Sequence, residues 1–175
     1  MLKKKRRGDY MKRKGFLCRP LILLFSAGML FFQPQALAKQ ASPAVMQMKT
    51  IEGQRVLIPA EGQKTIIHFW TTWCPPCREE LPRFQSYYDE KHADVELITV
   101  NLLNVEKNEQ SVKRFIKANH LSFPIVFDRT GDMMKKYNVM TIPSTFFINE
   151  KGELEKSVVG PITVEQMRSW AEKKS

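Results

Sequence analysis

Cysteine and histidine are scarce in this sequence, with three of each among 175 residues. Beyond residue 38 only Cys74 and Cys77 remain, and His92 and His120 are isolated from them and from each other. A structural zinc site takes four ligands, usually from a second cysteine pair or two closely spaced histidines, and this chain offers neither. Covalent haem needs a histidine directly after the second cysteine, where this chain has Arg78. We therefore expect no metal and no cofactor.

The chain also lacks a basic surface outside its N-terminus, although its formal net charge is +10. Nine lysines and arginines and one aspartate lie within residues 1–20, so that segment carries +8 and the rest of the chain only +2. A nearly neutral body does not favour electrostatic binding to nucleic-acid phosphates. We predict no nucleic-acid partner.

The apolar run LILLFSAGMLFF, residues 21–32, falls short of the roughly 20 residues that comfortably span a bilayer. It follows the basic head and precedes Ala36-Leu37-Ala38, an order typical of an export signal. Residues 1–38 are therefore predicted to be a signal peptide or an uncleaved membrane anchor. The basic head favours the anchor, whereas the Ala-Leu-Ala site favours cleavage, and both alternatives stay open. Either way, the remainder is expected outside the cytoplasm, with Cys18 on the cytoplasmic side.

Residues 39–47 have the composition of a linker, and residues 48–175 alternate extended and helical patterns. The β-branched and aromatic run TIIHFW predicts a central strand that is buried on both faces. The predicted strands cover residues 48–51, 55–58, 65–70, 95–101, 124–127, 145–148 and 155–159. The predicted helices cover residues 78–90, 109–119, 131–137 and 163–172, with Thr163 as the N-cap of the last. This alternation predicts an α/β domain with a mixed sheet.

The spacing of Cys74 and Cys77 favours a redox pair over a structural staple, because a bridge that closes so short a loop removes little chain entropy. Cys74 is predicted where the strand at 65–70 meets a helix that begins near Pro75. Unpaired N–H groups and the helix dipole stabilise a thiolate at such a position. Pro76 suits the first helical turn as Pro75 does, because neither needs an N–H partner. Cys77, one turn further, is predicted to resolve a mixed disulfide formed on Cys74.

These residues lie in a longer pattern that resembles the thioredoxin-fold thiol–disulfide oxidoreductases. The residues that carry the resemblance are Phe69, Trp70, Trp73, Cys74, Pro75, Pro76, Cys77, Thr141, Ile142 and Pro143. The pattern Trp-Cys-x-x-Cys-x-x-Glu-x-Pro, which ends at Pro82, resembles the exported TlpA/ResA branch of that family. Longer stretches, such as MKTIEGQ and FIKANHLSFPIVFD, are similar to the sporulation oxidoreductases of this branch. The implied fold is thioredoxin-like: a central mixed β-sheet flanked by helices, with an N-terminal β-hairpin and an inserted helix.

The resemblance implies the roles of several site residues. Cys74, Cys77 and Glu80 would be catalytic, with Glu80 as a buried carboxylate that relays protons; the alternative is a solvated helix carboxylate. Pro143 would be a cis-proline that faces the sulfurs. The implied active-site wall and substrate-binding residues are Trp73, Pro75, Pro76, Ile142 and Pro143. His68 departs from thioredoxins, which carry a buried acid there; we expect a core histidine that is hydrogen-bonded to a neighbour.

The resemblance implies an extracytoplasmic reductase of client protein disulfides that receives electrons from a membrane dithiol carrier of the CcdA type. The implied client pathway is spore cortex peptidoglycan synthesis, in the intermembrane space of the forespore. Reduction of apocytochrome c cysteines is the alternative within the same enzyme class. A non-catalytic exported module, with an inert disulfide or a copper site, is an alternative from another class. Oxidants of the DsbA type share the fold, but usually have a histidine between the cysteines and a large helical insertion. Nothing in the sequence indicates more than a monomer.

Overall fold

The computed structural model describes residues 44–173. The expected signal peptide or anchor at residues 1–38, Cys18 and the start of the linker at 39–47 lie outside the described residues. Within the described part, the strands are β1 (Met46–Lys49), β2 (Arg55–Ile58), β3 (Lys64–Trp70), β4 (Val95–Asn101), β5 (Ile125–Phe127), β6 (Ser144–Ile148) and β7 (Leu154–Val159). The helices are α1 (Pro75–Asp89), α2 (Glu109–Ala118), α3 (Asp132–Lys136) and α4 (Val164–Ala171).

Five strands form a mixed sheet in the order β5-β4-β3-β6-β7. Strands β3, β4 and β5 are parallel, whereas β6 and β7 run antiparallel to their neighbours. All seven residues of the central strand β3 are buried, as its β-branched and aromatic composition predicted. The predicted thioredoxin-like fold, with helices around a mixed sheet, is therefore confirmed.

The side chains of β3 alternate between two hydrophobic clusters, one on each face of the sheet. Ile66 and Trp70 pack in the cluster that contains both cysteines and Phe84 of α1. Ile67 and Phe69 point to the opposite face, in a second cluster that includes residues of α3. One set of β3 side chains therefore packs against α1, so the strand and the helix on either side of the cysteines belong to the same hydrophobic core.

The N-terminal hairpin of β1 and β2 lies against one edge of the main sheet. Thr50 forms an isolated antiparallel bridge with Val126 of β5, and the N–H of Ile51 donates to the carbonyl of Ile125 at 2.8 Å. Strand β1 begins at Met46, so the hairpin takes up the last two residues that we had assigned to the linker at 39–47.

At the opposite edge, the pairing of β6 with β7 shifts register between Phe147 and Ile148. Phe147 pairs with Lys156, whereas Ile148 pairs with Leu154, so Glu155 is the extra residue of a bulge. Its Oε2 accepts a hydrogen bond from the indole N–H of a tryptophan in α4 at 2.8 Å. The bulge therefore connects the outer strand to the last helix.

Helix ends follow the capping residues in the sequence. The Thr163 hydroxyl accepts from the N–H of Gln166 at 3.2 Å, and the Gln166 side chain accepts from the N–H of Thr163 at 2.8 Å. This capping box confirms the predicted N-cap of α4. Helix α1 begins at Pro75 with Cys74 as its N-cap, as the placement of the cysteine pair predicted, three residues before the apolar pattern at 78–90.

An ion-pair cluster at the start of α2 gives a testable pH dependence. Arg129 and Lys113 lie 2.6 and 2.7 Å from the Glu109 carboxylate, and the hydrogen bond from Arg129 is the main cause that lowers the pKa of Glu109 to about 2. Because the folded pKa lies below the ordinary value of 4.5, the stabilisation is present above pH 4.5 and is lost as the pH falls towards 2.

We therefore expect Glu109→Gln to lower the thermal unfolding midpoint modestly at pH 7, since the pair is solvent-exposed. Thermal unfolding followed by circular dichroism should show that the difference from the parent protein shrinks as the pH falls from 4.5 to 2. High salt should shrink it as well. Glu79→Gln, at an exposed position of α1, is the matched control. A difference that stays constant across this pH range would contradict the ion-pair explanation.

Candidate active site

The two cysteines form a disulfide at the junction that the sequence predicted. Strand β3 ends at Trp70, and a short turn leads to Cys74, the N-cap of α1. The Cys74 sulfur is bonded to that of Cys77 and accepts a hydrogen bond from the Cys77 N–H at 3.3 Å. After reduction, this amide and the helix N-terminus would stabilise a thiolate on Cys74. Pro75 and Pro76 occupy the first two helical positions.

The two sulfurs differ in their access to solvent. Cys77 is fully buried, whereas Cys74 retains 4% of its surface. A protein partner can therefore reach Cys74 first, and Cys77 can act only from inside the site. The predicted roles, attack on a partner disulfide by Cys74 and resolution by Cys77, require this order of access.

The loop before β6 lies beside this core. The Ile142–Pro143 peptide bond is cis, as the resemblance implied. Ile142 packs against the hydrophobic cluster that contains Cys74 and Cys77. Two hydrogen bonds hold the loop. The N–H of Gly160 donates to the carbonyl of Pro143, and the hydroxyl of Ser144 donates to the carbonyl of Thr141.

Glu80 is fully buried one helical turn after Cys77, so it is not the solvated carboxylate of the alternative interpretation. Its Oε2 accepts a hydrogen bond from the backbone N–H of Ile162 at 3.1 Å. Its Oε1 lies 3.1 Å from Nε2 of His68, although the two groups are not aligned as a hydrogen bond. A buried carboxylate therefore lies on the same face of α1 as Cys77.

His68 is a core histidine with a hydrogen-bonded neighbour, as we expected. It is fully buried in β3, and its Nδ1 lies 3.0 Å from the hydroxyl of Thr145 in β6. The imidazole packs against the ring of Phe84, with centroids 4.2 Å apart and an angle of 33° between the ring planes. What the sequence did not indicate is the approach of its other nitrogen to Glu80.

Trp73 stands beside the disulfide with 57% of its surface exposed. Its indole N–H donates to the carbonyl of Val105 at 3.1 Å. The preceding residue, Thr72, is held through its N–H and its hydroxyl by the Glu106 carboxylate, at 2.5 and 2.7 Å. The side-chain amide of Asn101 donates to the same carboxylate at 3.0 Å. The loop after β4 therefore anchors the turn that carries Trp73 and Cys74.

The sequence of this chain matches known proteins. The model of the AhpC/TSA family matches residues 38–157. The chain belongs to this family. It is 59% identical over 140 residues to sporulation thiol-disulfide oxidoreductase A of Bacillus subtilis, covering 79% of this chain and 85% of that protein. It is also 34% identical over 171 residues to the thiol-disulfide oxidoreductase ResA of Halalkalibacterium halodurans, covering 92% and 96% of the two chains.

Solved structures agree with these relationships. The crystal structure of StoA from Bacillus subtilis superposes with a TM-score of 0.72 at 59% identity, covering 74% of this chain and 98% of that one. An exposed lipoprotein thioredoxin of Streptococcus pneumoniae, 24% identical, shares the fold with a TM-score of 0.67 over 74% of this chain and all of that one. This protein is a thioredoxin-like thiol–disulfide oxidoreductase of the StoA/ResA type.

Glu106 is the site residue of this oxidoreductase that sequence reasoning missed. It follows a short 3₁₀ turn after β4 and lies 34 residues from Thr72 along the chain. The only local signal is an acidic residue in a loop after a strand that is parallel to β3. Parallel strands bring their carboxyl ends to one edge of the sheet, and this rule could have placed Glu106 near the cysteines.

Exposed apolar side chains border the two loops that carry Cys74 and Pro143. Met140, just before the cis-proline loop, is 85% exposed, and Val159, which pairs in register with Ser144, is 70% exposed. Trp73 and Val105 are exposed on the side of the cysteines.

Among residues 44–173, no helix is long and apolar enough to cross a membrane. The same residues contain no cluster of three His, Cys, Asp or Glu side chains that could hold a metal.

Proposed function

We propose that this protein is a reductant of disulfides in exported client proteins. The observation that carries the proposal is the buried carboxylate of Glu80 on the helical face of Cys77. Reduction of a client requires Cys77 to lose its proton before it can resolve the mixed disulfide. Glu80 supplies a proton acceptor on that side, away from solvent.

The proposed reaction starts from the dithiol form. The Cys74 thiol releases its proton to solvent, and its thiolate attacks one sulfur of the client disulfide. The client S–S bond breaks, and the first client thiolate leaves and takes a proton from solvent. Cys77 gives its proton to Glu80, and its thiolate attacks the Cys74 sulfur. The Cys74–client bond breaks, and Glu80 protonates the second client thiolate. Two electrons and two protons pass to the client, and the Cys74–Cys77 disulfide remains.

The client would dock on the surface formed by Trp73, Pro75, Pro76 and Ile142; Pro143, which was predicted to belong to this surface, is itself buried. The exposed indole of Trp73 offers an apolar contact beside the reactive sulfur. The backbone of Ile142 can pair with an extended client segment, as strand-addition sites do, whereas the Pro143 carbonyl is already paired with the Gly160 N–H. This surface accepts a cystine in a locally extended chain and does not require a preformed partner shape.

We further propose that the reaction takes place outside the cytoplasm and serves spore cortex synthesis. The similarity to a protein named for sporulation supports the sporulation role. The order of basic, apolar and small residues in segment 1–38 supports export, and its basic head supports attachment to the membrane. Electrons would come from a membrane dithiol carrier of the CcdA type, and the protein would act as a monomer. Cytochrome c maturation is the second candidate, supported by the similarity to ResA proteins.

The direction of electron flow is tested by the reduction potential of the Cys74–Cys77 pair. We expect about −270 mV or lower at pH 7, in the range of thioredoxin. The full chain is equilibrated with glutathione or dithiothreitol buffers, with Cys18→Ser as the background that removes the third thiol. A value near about −120 mV would mark a disulfide donor and overturn the reductase proposal.

The physiological role is tested by deleting the gene in its host. We expect loss of heat-resistant spores with normal cytochrome c, because the sporulation role predicts a cortex defect. Complementation with the parent protein should restore the spores, whereas complementation with Cys74→Ser should not. Loss of cytochrome c with normal spores would support the second candidate instead. If complementation with Cys74→Ser fully restored the lost phenotype, both candidate functions would be contradicted.

A further inference from the structure

His68 and Glu80 form a buried pair that the proposed reaction does not yet use. His68 Nε2 and Glu80 Oε1 are 3.1 Å apart, and both side chains are almost completely inaccessible to solvent. Among the described residues, neither atom has another hydrogen-bond partner. Since buried polar atoms are costly without partners, each of these two atoms depends on the other.

The rest of each group is held by a second contact. The Thr145 hydroxyl lies 3.0 Å from His68 Nδ1, and the N–H of Ile162 donates to Glu80 Oε2. The ring of Phe84 packs against the imidazole at a tilt of 33° and restricts its movement. The result is a continuous polar path across the core from Thr145 in β6 through β3 to α1.

We propose that His68 is a positioning residue, which holds the Glu80 carboxyl group and shares a proton with it while Glu80 exchanges a proton with Cys77. Two acceptor atoms at 3.1 Å repel each other unless a proton lies between them. That proton sits on Nε2 and is donated to Oε1, or sits on Glu80 and is donated to Nε2. Thr145 permits both states, because a hydroxyl can accept from Nδ1 or donate to it.

The imperfect alignment fits this role. The structure holds the disulfide, which is the end state of client reduction. Catalytic hydrogen bonds are often poorly aligned in a resting state and tighten when the reacting groups are in place. The contact is therefore expected to matter in the mixed disulfide, when Glu80 must take the proton of Cys77. This inference rests on the proposed proton transfer by Glu80.

The neighbouring strands supply a matched control. In the sheet register, His68 lies between Thr145 of β6 and Thr99 of β4. Both threonines are fully buried. Only the Thr145 hydroxyl contacts the imidazole, because the Thr99 hydroxyl donates to the carbonyl of Pro124. Threonine-to-valine changes at these two positions remove the same group on opposite sides of His68.

The experiment separates the two chemical steps in single turnover. The reduced full chain, in the Cys18→Ser background, is mixed with a fluorescent peptide that contains one internal disulfide. Acid-quenched samples report formation of the mixed disulfide on Cys74 and its release by Cys77. The variants are His68→Phe, His68→Gln, Thr145→Val and Thr99→Val, each with Glu80 intact and with Glu80→Gln.

We expect His68→Phe to slow release by about 10- to 100-fold, somewhat less than loss of a full general base. Mixed-disulfide formation should change less than about twofold, because Cys74 does not depend on this pair. His68→Gln should recover part of the rate through its amide N–H. Thr145→Val should slow release, and Thr99→Val should not. In the Glu80→Gln background, His68→Phe should cause no further loss, since coupled residues are not additive.

The outcomes separate this inference from the proposal on which it rests. If Glu80→Gln slows release and His68→Phe does not, His68 is only a core residue and the inference fails alone. If Glu80→Gln also releases at the parent rate, proton transfer by Glu80 fails as well. If His68→Phe slowed release by the same factor with Glu80 intact and with Glu80→Gln, His68 would have only a structural role. If His68→Phe does not fold, the comparison of Thr145→Val with Thr99→Val decides, and equal rates for the two overturn the inference.

Discussion

Replacement of Cys77 by serine is expected to trap client proteins on Cys74. The Cys74 thiolate can still attack a client disulfide, but no second thiol remains to release the product. Turnover should fall by about 10³-fold or more, as is usual when a nucleophile of a catalytic unit is lost. The adduct should be visible on a non-reducing gel of the full chain and should disappear on addition of dithiothreitol.

Two matched variants serve as controls for this result. Cys74→Ser should form no adduct, because Cys77 is fully buried and cannot reach a client first. Cys18→Ser should behave like the parent protein in both assays. Adducts of equal yield on Cys74→Ser and Cys77→Ser would show that either sulfur can attack, and our assignment of the two roles would be wrong.

Removal of the Glu106 carboxylate is expected to loosen the turn that precedes Cys74. This carboxylate accepts three hydrogen bonds, two from Thr72 and one from Asn101. Hydrogen bonds to a charged group contribute about 1.5–3 kcal/mol each, and the freed donors can partly return to water. We therefore expect Glu106→Ala to lower the free energy of unfolding by about 2–3 kcal/mol.

The same change should also lower the rate of client reduction. Trp73 follows Thr72 directly, and its indole is held by the adjacent Val105 carbonyl, so both anchors of this turn lie in one loop. We expect kcat/KM for a disulfide peptide to fall about tenfold, because small displacements of reacting groups are costly. Urea unfolding and steady-state kinetics measure the two effects, with Lys107→Ala as the control. Unchanged stability and rate would show that the turn keeps its shape without Glu106.

The parts of the fold that could be predicted depend on local patterns. Strand β4 has the predicted bounds, because VELITVN is rich in β-branched residues. The start of α4 was predicted from Thr163, since a capping residue acts within one turn. The cysteine positions followed from the same local reasoning, because a helix N-terminus with two prolines can be read directly from the sequence.

The parts that could not be predicted depend on residues that are distant along the chain. The approach of His68 to Glu80 requires the packing of α1 on β3, and the Glu106 contacts require the parallel pairing of β3 with β4. The cis Ile58–Pro59 bond also gave no signal, because sequence rarely distinguishes the two isomers of a prolyl bond. Strand β1 began earlier than predicted because MQMK gains its strand character from pairing with β2.

The N-terminal hairpin has a consequence for how this molecule behaves among unfolded exported chains. An uncovered outer strand offers a row of free backbone groups on which foreign chains can assemble. Here the hairpin shields β5, and the rim at β7 carries a bulge with Glu155 and Lys156. Both edges of the sheet are thus protected against non-specific strand pairing with neighbouring polypeptides. Under the proposed function, contact with other chains is left to the loops around the sulfurs, where a captured segment can react and then depart.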